Sequence, residues 1–263
     1  MVPNYETHLE AYTEFCRIRG LHQAMPDLPI LDYSRFKFPG AFSNLMQFMY
    51  AAHSEGFARE ILNEIHNLRR YLTDLQCWLV VLKSLTEEEK RRDVIIEFLD
   101  DRTVLALGRS TAIKSRFIYA ATKLGLVYAK LADANDLPRE HEIDVTEMKN
   151  WIGTWPGYPR FIVDLNDLDG TDFRRSISNF RNLDAHRFPP RVEYGLTPAR
   201  GIFLNEGRIS YSVDYNQPVK LPDVGPLLAA EYSRMVKTVD SFWAMILAQA
   251  RACRIEGAQR PKA

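Results

Sequence analysis

Cysteine is scarce in this chain. Its 263 residues include three, Cys16, Cys77 and Cys253, all far apart. No pair has the spacing of a zinc site, and an odd number cannot all pair as disulfides. Reduced, mostly buried thiols in a reducing compartment are the expectation. Net charge is missing as well: 34 Lys and Arg balance 34 Asp and Glu. A neutral chain has no overall field to hold nucleic acid, so any such site must be a local basic patch. Long apolar runs are absent, and the strongest, around residues 78–82 and 242–250, are too short to span a bilayer. The opening Met1-Val2-Pro3-Asn4-Tyr5-Glu6 has neither a basic n-region nor an apolar h-region. A cytoplasmic protein with no membrane partner is expected. The sequence also lacks a glycine-rich phosphate loop, a His-Glu-x-x-His pair, a Gly-x-Ser-x-Gly elbow and a dinucleotide fingerprint. No cofactor or metal is assigned.

Hydrophobic residues make up 46% and charged residues 26%, an ordinary globular mix in a chain long enough for one large domain or two small ones. The periodicity is mostly helical. Residues 41–54 form one expected helix that ends near Gly56. A longer one runs over 57–85, with Ile61, Ile65, Leu68, Leu72, Leu75 and Leu79 at steps of three and four. Thr86 and Glu89 make a capping box for a helix to about Leu99. Residues 110–131 form a fourth helix, followed by a polar loop with Pro138. Residues 151–160 hold two prolines and two glycines and cannot be helical throughout. Thr171 caps a helix to about Arg187, stopped by Pro189-Pro190. Ile209, Tyr211, Val213 and Tyr215 alternate with polar residues, the mark of a strand, and a turn at 205–207 pairs it with 202–204. A last helix covers about 224–255, with Leu228, Tyr232, Met235, Val239, Phe242 and Ile246 on one face. The expected fold is all-α: an antiparallel helical bundle over 41–255 with a small β-hairpin insertion at about 200–216. Residues 1–40 are an N-terminal extension and 256–263 a disordered tail.

Several segments invite functional readings. Residues 164–172 are rich in Asp, but with Gly170 at loop position six a calcium loop would start at Leu165 and end at Ser176, where a bidentate Glu belongs. An acidic loop ahead of a helix N-terminus is the better reading. Trp151, Trp155 and Tyr158 could stack bases, but more often such rings complete a core.

The helix over 171–187 differs. Phe173, Ile177, Phe180 and Leu183 form one narrow apolar stripe, and its other residues are polar or small. Arg174, Arg175, Arg181, Arg187, Arg191 and Arg200 face only Asp184 and Glu193 in this stretch, a local surplus of cations suited to bidentate phosphate contact. His186 lies in the last turn, where the helix dipole favours imidazolium, and can move protons near neutral pH. Asn182, four residues earlier, can orient the ring or a phosphate. Arg to hold a phosphate, His to move protons and Asn to position them make a metal-free phosphodiesterase set. RNA is the target because its 2′-hydroxyl supplies an internal nucleophile. Arg181 and His186 are about 7.5 Å apart along the axis and roughly 140° apart around it. Their tips need not converge from one helix, so a homodimer pairing the motif helix across a two-fold axis is expected.

Arg181-Asn182-Leu183-Asp184-Ala185-His186 resembles the signature of the HEPN superfamily: an Arg, a polar residue directly after it, and a His four to six residues beyond the Arg. Arg17 to His22 shares the spacing, but the apolar Ile18 follows that arginine; Arg59 to His66 is one residue too long, and Glu60 follows its arginine. The resemblance implies an all-helical, typically homodimeric fold. It implies a metal-independent endoribonuclease of the kind found in toxin–antitoxin, phage-defence and RNA-processing systems, with a cognate antitoxin or nucleotidyltransferase as partner. Arg181 and His186 would be catalytic, with Asn182 the accompanying polar residue. Arg174, Arg175, Arg187 and Arg191 would contact the substrate backbone. A non-catalytic helical module that binds RNA, nucleotide or protein is the alternative.

Overall fold

Apolar residues at three- and four-residue spacing carry most of this chain into helices. A computed structural model describes residues 5–21, 28–39, 42, 44–128, 139, 142–177, 191–194, 197–205, 208–216 and 218–252. The helices are α1 (Tyr5–Leu21), α2 (Leu45–Ser84), α3 (Glu88–Phe98), α4 (Asp100–Tyr128), α5 (Val145–Ile152), α6 (Tyr158–Asp167), α7 (Thr171–Ser176) and α8 (Leu221–Ala252). Between α7 and α8 the backbones of β1 (Thr197–Asn205) and β2 (Arg208–Asn216) pair antiparallel, from Thr197 opposite Asn216 to Asn205 opposite Arg208. The turn expected at 205–207 falls largely on residues outside those described. Among the described residues, no helix is long and apolar enough to cross a membrane.

Several boundaries differ from those the sequence suggests. Gly56 does not end a helix: α2 runs unbroken for 40 residues. One mid-helix glycine costs only about 1 kcal/mol, which the apolar stripe on either side outweighs. The Thr86–Glu89 box does not form. Glu87 takes the cap position, with no side-chain hydrogen bond, and α3 begins one residue later than a Thr86 cap requires. Helix α4 begins at Asp100, ten residues before the expected start. Leu99, Thr103, Ala106, Leu107 and Ser110 are all buried there, so the inward face was masked by its polar members. Gly170, not Thr171, caps α7. Helix α7 ends at Ser176, with Ile177 outside helical geometry at φ −100° and ψ 16°; the rest of the helix expected to about Arg187 lies outside the described residues. The Ser176 hydroxyl donates to the Asp172 carbonyl at 2.9 Å, a back-bond that competes with the helix ladder.

The chain divides into two compact units. The first comprises Met1–Pro29, Leu68–Arg109 and Gly170–Glu231. Its centre is Trp78 of α2, stacked between Phe15 of α1 and Phe98 of α3 at ring separations of 4.4 and 4.8 Å. Tyr12 stacks on Phe98 at 6.0 Å. Ala11, Phe15 and Ile18 give α1 its buried face. Asp74 joins Arg19 at 2.7 Å at the edge of that contact.

The second unit comprises Ile30–Asn67, Ser110–Asp169 and Tyr232–Ala263. Phe117, Phe161 and Phe242, from α4, α6 and α8, form a triangle of rings 5.4 to 6.1 Å apart. The face expected of the last helix is buried along its whole length, from Leu228 to Ile246. Trp155 and Tyr158 are buried as well, so those rings belong to the core. Two glycines are required here by close approach. A Cβ on Gly125 would meet the Trp151 Cβ at 2.7 Å. Gly157 caps α6 with φ +88°, and a Cβ there would meet the Met245 Cα at 3.1 Å.

Two substitutions separate these roles. Gly56→Ala meets nothing within 4 Å inside the chain and should stabilise the single chain by about 0.5–1 kcal/mol through helix propensity. Gly157→Ala should destabilise by about 1–3 kcal/mol, from a left-handed backbone and an overpacked contact. Urea unfolding of both variants measures the opposite signs.

Candidate functional site

The residues expected to act directly, Arg181, Asn182, His186 and Arg187, lie outside the described residues. The structure does place both flanks of that segment, and both belong to the first unit. On the upstream side, Phe173 and Ile177 are buried at 3% exposure each, as the apolar stripe requires. Arg174 and Arg175 of α7 are exposed. Arg175 pairs with Asp172 at 3.3 Å, with side chains 75% and 89% exposed. Such a pair is worth about 0–1 kcal/mol and leaves the guanidinium free to exchange partners.

On the downstream side the chain re-enters at Arg191, which is exposed. It is anchored at once. The Val192 N–H donates to the carboxyl group of Asp100, the first residue of α4, and Arg191 lies close enough to act on it electrostatically. The Val219 N–H donates to the Arg191 carbonyl at 3.0 Å, and the Glu193 N–H to the Val219 carbonyl at 2.8 Å. These bonds make a short parallel bridge between Val192 and Val219.

Glu193 carries the strain of this turn. Its φ is +57°, a left-handed value for a residue with a Cβ. The Tyr194 N–H reaches back to the Val192 carbonyl at 2.6 Å, the i to i+2 pattern of a γ-turn. Several contacts offset that cost. The Glu193 carboxylate accepts the N–H of Leu221, first residue of α8, at 2.9 Å. It thereby satisfies one of the helix's orphan donors. Lys220 donates its ammonium to the Glu193 carbonyl at 2.9 Å. Tyr194 donates its hydroxyl to Glu88 of α3 at 2.7 Å. Burial, and the Glu88 carboxylate beside it, push the Tyr194 pKa up to about 12.

Burial pushes the Asp100 carboxyl above its ordinary pKa; Arg191 and the Val192 N–H pull it partly back, and Asp101 adds to the rise. One oxygen of Asp100 is buried with no hydrogen-bond partner. Proximity of Asp100 and Glu88 to the basic segment was invisible in the sequence, where about ninety residues separate them from it. The positive φ of Glu193 has no sequence signal either, since glycine is the usual residue there.

The acidic stretch before α7 is more deeply engaged than a solvated loop. Asp164 is 4% exposed, with the Lys237 ammonium 3.1 Å away and Arg160 at 4.0 Å. Asp169 is 3% exposed and accepts the Thr111 hydroxyl at 2.9 Å. Among the described residues, no three His, Cys, Asp or Glu gather so as to hold a metal ion. Of the thiols, expected to be mostly buried, Cys77 is buried and Cys16 is exposed; Cys253 lies outside the described residues. The second unit also has a small cleft lined by Tyr33, Phe36, Lys37, Glu55, Arg59 and Leu62. Comparisons with protein-family models, curated proteins and solved structures return no match for this chain.

The anchor gives two tests. Glu193→Ala removes the cap on α8 while leaving a Cβ in the left-handed region, and should lower stability by about 1–2 kcal/mol in urea unfolding. Asp100→Asn tests the buried carboxyl. A raised folded-state pKa means that the native protein holds this proton more tightly than the unfolded chain. The Asp100 contribution is therefore fully present below the ordinary value of 3.8 and is lost as pH rises through the folded-state pKa. The stability of wild type relative to Asp100→Asn should fall with rising pH across that window, measured by urea unfolding at a series of pH values.

Proposed function

We propose that this chain is a metal-independent endoribonuclease of HEPN type, acting on RNA phosphodiester bonds. The observation that carries this reading is the Arg181-Asn182…His186 motif, set in a basic segment with exposed guanidiniums on both flanks, Arg174 and Arg175 before it and Arg191 after it. The predominantly helical architecture is compatible with it. In this reading the helices form a HEPN-like antiparallel bundle, and β1 with β2 a hairpin inserted before the last helix.

His186 would act as general base toward the 2′-hydroxyl or general acid toward the leaving oxygen. Arg181 would stabilise charge building on the phosphate, and Asn182 would orient the reacting groups. Arg174, Arg175, Arg187 and Arg191 would hold the RNA backbone. Attack by the 2′-oxygen on the adjacent phosphorus breaks the bond to the 5′-oxygen. It leaves a 2′,3′-cyclic phosphate and a 5′-hydroxyl. In the helix that the sequence suggests for this segment, Arg181 and His186 would point roughly 140° apart, so the working site would combine the Arg of one protomer with the His of another. A toxin or phage-defence effector, held in check by an antitoxin or nucleotidyltransferase, is the biological setting that the resemblance suggests.

The test is RNA cleavage in EDTA by wild type and by His186→Ala, with circular dichroism to verify the fold. The expected result is cyclic-phosphate product from wild type and a loss of at least about a hundredfold in the variant. RNA binding without cleavage by either protein would replace the enzyme with a binding module.

A further inference from the structure

The first turns of α2 carry an apolar face that the second unit leaves in solvent. Leu45 is 70% exposed, Phe48 54%, and Met46 and Met49 38% each. The opposite face of the same turns, Tyr50, Ala51 and Ser54, is buried to 1% or less. The helix is therefore anchored by one side and apolar on the other. Single exposed apolar residues are ordinary; four large ones within five residues of one helix are not. No charged residue occurs from Leu45 to Ser54, so nothing on this stretch keeps an apolar partner away. Phe48 is also steadied by an edge-on contact with Phe42 at 6.1 Å.

The spacing selects the partner. Leu45, Met49, Ala52 and Gly56 follow one another at steps of four, three and four, which places them on one seam. The seam runs from large residues to small ones. Ala52 is exposed, and a Cβ on Gly56 would meet nothing within 4 Å. Beyond Gly56 the seam turns polar at Arg59 and Asn63. An antiparallel second helix of the same sequence puts Leu45 opposite Gly56 and Met49 opposite Ala52, so bulk on one copy meets space on the other.

The area agrees. The four exposures together equal about two fully exposed large side chains, or roughly 400 Å² of apolar surface per copy at about 200 Å² each. A standard interface takes about 800 Å² from each partner, a little over half of it apolar, or roughly 450 Å². We propose that the N-terminal half of α2 is a self-association surface that pairs antiparallel with α2 of a second copy. This surface is distinct from the motif segment, and the proposal does not rest on the ribonuclease reading.

The experiment is sedimentation of the full chain over a range of about 1 to 100 µM, which captures a dimer of micromolar or tighter affinity. Wild type is expected to reach at least twice the mass of Phe48→Glu with Met49→Glu at unchanged helical content: two chains against one where the motif segments stay apart, and four or more against two where they also pair. Ile96→Glu, which alters an exposed apolar residue elsewhere, should leave the dimer intact. In a background with Cys16 and Cys253 replaced by Ser, Met49→Cys with Ala52→Cys should form a disulfide-linked dimer on mild oxidation. A wild type that stays at single-chain mass overturns the proposal. An assembly mass unchanged by the double Glu variant overturns it too and leaves association to another face, the motif segment included. Loss of RNA cleavage in His186→Ala with the dimer retained would separate the two proposals.

Discussion

Burial of α2 is the constraint on which both units depend. Its first half contributes Tyr50, Ile61, Leu62 and Ile65 to the second unit, and its second half contributes Leu68, Leu72, Leu75 and Trp78 to the first, all at 2% exposure or less. Each such side chain is worth about 1.5–3 kcal/mol when taken from water. A helix this long, apolar on its inner face in both units, cannot stand in solvent, and the other helices of each unit supply its cover. In the first unit that cover is the aromatic stack on Trp78. In the second it includes Phe38 and Trp155 against Tyr50. The start of α2 is the exception: one side is covered and the other is left open.

The segment that carries the candidate chemistry is tied down differently. Its upstream flank is held by two apolar side chains, Phe173 and Ile177, and its downstream flank by polar bonds. Asp100, Glu193 and Tyr194 connect that flank to α4, α8 and α3 in turn. A left-handed glutamate persists only where its surroundings over-determine it, as they do here. The same carboxylate that offsets the strain caps α8, so local backbone cost and helix stability are coupled at one residue.

Much of the helical framework was legible because periodicity reports burial directly. Every residue named for the inner face of the last helix is buried, and so are Ile61 to Leu75 of α2. Boundaries were harder. Gly56 looked like a stop, yet inside a helix packed on both sides of it a missing Cβ is a small cost. Residues 100–109 carry no clear pattern in the sequence, yet Asp100 and Asp101 occupy the first turn of α4, where the helix dipole favours them. Asp164 and Asp169 belong to a stretch whose composition suggests an acidic loop ahead of a helix N-terminus, and the fold buries both. Lys237 from α8 and Thr111 from α4 come from far along the chain to pair with them.

The sequence by itself determined the long helical stretches of α2 and α8, the faces they turn inward, and the run of cationic residues on either side of Arg181, Asn182 and His186. Those features depend on residue type and spacing within a few turns, which local physics reads. Tertiary structure alone decided that the chain after the motif is pinned to Asp100, that Glu193 takes a left-handed backbone, and that the Leu45–Met49 face of α2 stays open. Each of these depends on which distant residues arrive beside a given position, and no local pattern encodes that. A buried carboxylate and a solvated one have the same letter in the sequence; only the neighbours brought by the fold distinguish them.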